Sequence, residues 1–68
     1  MWIRSQNGTK IIKAENIVIE NMGSYYNIYV NKFNVGRYEK EDRALQVLNE
    51  IESFLLKSTN IYYQMPEE

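Results

Sequence analysis

Sixty-eight residues, with eight lysines and arginines against nine aspartates and glutamates and neither cysteine nor histidine, make a near-neutral chain with room for one domain. That composition rules out disulfides and thiolate or imidazole metal centres, leaving only carboxylate sites for hard cations. It also argues against nucleic-acid binding driven by phosphate neutralisation. A domain of this size buries only about 60 % of the surface its unfolded chain exposes, so association is the remaining route to extra stability and a homo-oligomer is expected.

Met1 to Gly8 has no apolar h-region, and no stretch approaches the roughly 20 apolar residues of a spanning helix. The expectation is a cytoplasmic protein with no membrane partner.

Residues 2–38 read as an antiparallel β-meander of about five short strands. Asn7-Gly8 is a strong hairpin signal, since a type I′ turn needs positive φ at both central positions. A turn there sets Arg4 opposite Ile11, Ile3 opposite Ile12 and Trp2 opposite Lys13. A second turn at Met22-Gly23 places Ile19 opposite Tyr26 and Ile17 opposite Ile28. A third at Asn31-Lys32 places Phe33 opposite Val30, Val35 opposite Ile28 and Arg37 opposite Tyr26. Both later turns put Tyr26, Ile28, Val30, Phe33 and Val35 on one face, the predicted core. Gly36 falls opposite Asn27, and a strand glycine often marks a bulge or a close approach.

From Glu41 to Lys57 the period changes. Ala44, Val47, Leu48, Ile51, Phe54 and Leu55 recur at three- and four-residue spacing, which predicts one amphipathic helix packed on the sheet. Glu41 and Asp42 suit its positive end and Lys57 the other. With no Ser or Thr cap, Glu39 or Asp42 is left to cap it. Leu45 and Leu56 lie off the main stripe and either widen the core contact or mark a second buried surface. Ser58-Thr59-Asn60 ends the helix. Residues 61–65 alternate like a short strand that Pro66 stops, and so much apolar surface is expected to dock on a sheet edge, its own or a neighbour's. The whole is a single α+β domain.

Catalytic patterns are missing. No G-x-S-x-G, S-x-x-K, P-loop or G-x-G-x-x-G sequence occurs, so no catalytic, cofactor or metal residue is assigned and the chain is read as no enzyme. The carboxylates beside and along the helix read as a solvated face. Six tyrosines are the unusual entry in the composition. They suit half-buried packing on a sheet, but Tyr25, Asn27, Tyr29 and Tyr38 fall on the face opposite the predicted core. Aromatics and amides there can stack on a base or meet a protein. Trp2, Arg4, Arg37, Tyr62 and Tyr63 complete the candidate binding surface.

Three segments carry a resemblance: the opening Met1-Trp2-Ile3-Arg4-Ser5-Gln6, the central Val35-Gly36-Arg37-Tyr38 running into Arg43-Ala44-Leu45-Gln46-Val47-Leu48, and the closing Tyr63-Gln64-Met65-Pro66-Glu67-Glu68. In order and spacing they resemble a group of small proteins from Gram-positive phages, prophages and mobile elements, whose members often have Ser-Thr where this chain has Glu39-Lys40. The group has no agreed biochemical activity, so no functional residue is carried over. What the resemblance implies is an accessory protein in the host bacterial cytoplasm that binds a host protein and counters host defence. The alternative it leaves open is an oligomeric sponge for a nucleotide-derived signalling molecule.

Overall fold

The computed structural model describes residues 1–57 and 62–68. In chain order they form β1 (Trp2–Arg4), β2 (Ile11–Lys13), β3 (Ile17–Asn21), β4 (Tyr26–Val30), β5 (Phe33–Tyr38), α1 (Glu41–Lys57) and β6 (Tyr62–Gln64). The class is α+β, as expected, but the strands divide into two three-stranded sheets, β2-β1-β6 and β3-β4-β5. The division falls at residues 14–16. There the Asn31 side chain replaces a ladder: its Oδ1 accepts from the N–H groups of Glu15 and Asn16 at 2.9 and 3.0 Å, and its Nδ2 donates to the Lys13 carbonyl at 2.6 Å. Backbone groups satisfied in this way need no strand partner.

The first hairpin has the expected pairs, Trp2 with Lys13, Ile3 with Ile12 and Arg4 with Ile11. Its turn is of another kind. Gly8 donates to the Ser5 carbonyl at 2.9 Å and alone carries positive φ, at 76°. Asn7 instead uses its side chain, whose Oδ1 accepts from the Ser5 and Thr9 hydroxyls and the Thr9 N–H. The second hairpin turns one residue later than expected, on Gly23-Ser24, because a two-residue loop of the II′ kind takes glycine first. Gly23 has φ 103°, and Met22 N–H bonds the Tyr25 carbonyl at 2.9 Å. Ile19 therefore faces Ile28, and Ile17 faces Val30. The slip is two residues, so every side chain keeps its face.

The third hairpin turns on Asn31-Lys32 with φ 52° and 75° at the two central positions, as read from sequence. Val30 meets Phe33, but a bulge then inserts Val35 between Asn34, opposite Tyr29, and Gly36, opposite Ile28. Beyond it the strand has slipped by one. Arg37 pairs with Asn27 rather than Tyr26, and Tyr38 pairs with Tyr26 on the core side rather than joining the outer face. Phe33, expected in the core, sits at the turn end 53 % exposed, with the Lys10 ammonium 5.6 Å from its ring centroid.

The core joins Ile3, Ile28, Val30, Val35 and Tyr38 to Ala44, Val47 and Ile51 of α1 and to Met65. Helix α1 has the expected bounds and lies across β4 and β5. Lys40 stands at its N-cap, the carbonyl accepting from Ala44 N–H at 3.1 Å, rather than Glu39 or Asp42. Leu48 and Phe54 are half-buried. Leu55 is not in the core; it is 54 % exposed, lying a turn beyond Ile51, the last buried residue of the helix. The tail docks on its own chain: β6 runs parallel to β1, pairing Trp2 with Tyr62, Ile3 with Tyr63 and Arg4 with Gln64. Ile61 and Ser58-Thr59-Asn60, read as strand start and helix stop, lie outside the described residues.

Candidate binding face

The bulge in β5 assembles a face that gathers four of the nine sequence-selected residues, Tyr25, Asn27, Tyr29 and Arg37. By bringing Arg37 opposite Asn27, it surrounds Asn27 with Glu20 and Arg37 across the strands and Tyr25 and Tyr29 two residues away along its own segment. The Arg37 guanidinium lies over the Tyr25 ring at 3.9 Å, a cation–π stack that presents two planar groups together. Asn27 Nδ2 donates to the Tyr29 hydroxyl at 3.2 Å. Asn27 is only 6 % exposed, and its Oδ1 is buried without a hydrogen-bond partner. An unsatisfied buried acceptor costs about 1–3 kcal/mol, so a polar group that supplies its hydrogen bond would recover that energy.

The other selected residues fall elsewhere. Trp2, Arg4 and Tyr62 share the outer face of the β2-β1-β6 sheet, where Trp2 and Tyr62 are exposed neighbours. Arg4 is engaged, its Nε and Nη2 both donating to the Gly8 carbonyl at 3.2 Å. Tyr38 and Tyr63 are packing residues. Tyr38 donates its hydroxyl to the Pro66 carbonyl at 2.7 Å, and burial pushes its phenol up to about 12, with Arg43 opposing and Glu50 adding to the shift. Tyr63 meets Phe54 edge-on at 5.5 Å and donates to Glu50 Oε1 at 2.9 Å; burial, then that bond, raises its phenol above the ordinary range. Neither phenol is activated as a nucleophile.

Sequence reading did not single out Gln6, Lys40 and Arg43, which with Arg37, Tyr38, Glu39, Glu67 and Glu68 line a cleft of about 500 Å³ beside the same arginine. Gln6 is its keystone: Oε1 accepts from Arg37 N–H at 2.9 Å, and Nε2 faces the carbonyls of Arg37, Pro66 and Glu67. Arg43 is taken up by the Glu68 main-chain oxygen at 2.7 Å and by Gln46 at 2.9 Å. The docked tail brings Glu67 and Glu68 to Gln6 and Arg43, contacts over some 25 to 60 positions that no local pattern signals. No group of three or more acidic, histidine or cysteine residues among the described residues is placed to hold a metal, and no described helix is long and apolar enough to cross a membrane. Comparisons with protein-family models, with curated proteins and with solved structures return no match to this chain.

Proposed function

We propose that this chain is a non-enzymatic interaction protein that grips a protein partner with the outer face of the β3-β4-β5 sheet. In the phage or prophage setting its sequence resembles, the partner is a host protein and the outcome interference with host defence. The observation that carries the reading is the Asn27 carboxamide, buried with its oxygen unpaired and framed by the Arg37–Tyr25 stack and Tyr29. Tyrosine and arginine dominate the energetic centres of protein interfaces, and a buried acceptor among them supplies direction as well as area. The face is a sheet surface rather than a cavity, which suits a protein more than a small molecule.

A second reading, sequestration of a nucleotide-derived anion, draws on the cleft at Arg37, Lys40 and Arg43, whose volume falls within the usual 300–1,000 Å³ of ligand sites. The same cleft carries Glu39, Glu67 and Glu68, which oppose an anion, so this reading comes second. Capture from host lysate, followed by titration of the purified captured protein against wild type and Asn27→Ala, Tyr29→Ala and Arg37→Glu, separates them. Loss of affinity in all three variants with unchanged folding supports the face. Full affinity in all three sinks it, and a nucleotide released by denaturing the captured wild-type protein moves the reading to the cleft.

A further inference from the structure

We propose that the free edge of β3 pairs with the same edge of a second copy, giving a two-fold antiparallel dimer. Three observations converge on that edge, none of them used in the binding-face reading.

The first is the backbone. Asn31 N–H bonds the Asn16 carbonyl and Met22 N–H bonds the Tyr25 carbonyl. In an antiparallel ladder bonded pairs alternate, so Val18 and Glu20 bond to β4 while Ile17, Ile19 and Asn21 turn their N–H and C=O groups outward. No described strand takes them. The edge carries no lysine, proline or bulge, the usual guards against pairing.

The second is the helix. Arg43, Glu50 and Phe54 face the tail, through Glu68 and Tyr63. The tail side is also the β5 side, where Gln6 N–H bonds the Val35 carbonyl at 2.7 Å. At 100° per residue, Leu45, Leu48 and Leu55 lie across the buried line of Ala44, Val47 and Ile51 from those residues, on the side of α1 toward β3, while the helix itself packs on β4 and β5. Leu45 and Leu55 are 45 % and 54 % exposed.

The third is self-complementarity. Antiparallel pairing about Val18 sets Ile17 opposite Ile19 of the second copy as bonded pairs, with the two Val18 side chains face to face. Glu20 then meets Asn16 rather than another glutamate. A two-fold axis through the sheet runs the two helices antiparallel on the same face of the joined sheet. Two three-stranded sheets become one, and their outer faces become a single extended surface.

The chain lacks cysteine, which makes the test clean. Non-bonded antiparallel pairs hold their Cα atoms about 4.5 Å apart, within disulfide reach. Val18→Cys should therefore oxidise rapidly to a covalent dimer, while Ser24→Cys, in an exposed turn, should not. In sedimentation equilibrium the wild type should weigh twice its 8.1 kDa. Val18→Lys and Val18→Glu should each be folded monomers that dimerise when mixed, and Ile11→Lys, on the other sheet, should leave association unchanged. A wild type that is monomeric at every concentration, or a Val18→Cys chain that cross-links no faster than Ser24→Cys, overturns the proposal.

Discussion

The two flanks of the β3-β4-β5 sheet are finished in opposite ways. On the β5 side, the Val35 carbonyl is taken by Gln6, the Tyr38 hydroxyl reaches the Pro66 carbonyl, and Met65 is buried to 1 % exposure. On the β3 side, backbone groups and leucines are left to solvent. The difference teaches that a chain short of core can close one side of a sheet with a docked segment and leave the other side open. Perturbations of the closed side should therefore act on the stability of the single chain, and those of the open side on association.

The largest effect is expected at Met65. Met65→Ala should cost about 2–5 kcal/mol in urea or thermal unfolding, the usual range for truncating a buried large side chain. A loss below about 0.5 kcal/mol, typical of surface sites, would mean that the tail merely rests on the sheet. Next comes Gly36, which is buried beneath that methionine: an added Cβ would lie 3.0 Å from both Met65 Cε and Tyr38 Cε2. Gly36→Val should cost about 1–3 kcal/mol through overpacking. Because the clash is with Met65 itself, the two substitutions should be non-additive in a double-mutant cycle, and simple additivity would show that the contact is absent.

Alkaline titration sharpens the comparison further. Tyr38 titrates near 10.0 when unfolded and about 12 when folded, so between those values the native state holds a proton that the unfolded state has lost. Stability should be level up to about pH 10 and fall above it. Tyr38→Phe should lessen that fall, leaving the share of Tyr63, whose phenol is also raised, and a variant that keeps the full slope would assign it to other groups. The smallest effect is expected at the helix start. Glu41→Gln with Asp42→Asn should change unfolding of a monomeric background such as Val18→Lys by about a few tenths of a kcal/mol, through the helix dipole alone.

How far the fold could be read from sequence depended on what kind of feature specified each turn. Asn31-Lys32 was legible because a two-residue loop between strands leaves little else to form, and the Asn31 side chain then anchors it to residues 13–16. The stronger-looking Asn7-Gly8 gave the right pairs through the wrong turn, since Ser5 and Thr9 offered Asn7 side-chain bonds that competed with the type I′ shape. The helix bounds were legible from periodicity over 17 residues. Gly36 flagged the bulge but not its effect on register, which rests on the Asn34 side chain accepting from Gly36 N–H at 3.1 Å and on Gln6 N–H, distant in sequence, meeting the Val35 carbonyl. The bulge alone exchanged Arg37 and Tyr38 between faces. Asn27, Tyr25 and Tyr29 were therefore found from sequence, whereas their partner arginine was found by residue type and not by register.

The parallel pairing of β6 with β1 also sets the order of events during synthesis. Ile3 is made some sixty residues before its neighbours Tyr63 and Met65. The hairpin, the β3-β4-β5 ladder and the helix can all form as the chain lengthens, because their contacts are local. The seam that joins the two sheets cannot close until residue 65 has been added, since loop closure over some sixty positions must precede any gain from the contact. A nascent chain at that stage thus presents Ile3, Gly36 and Tyr38 uncovered, a signature that chaperones and proteases would read as unfinished.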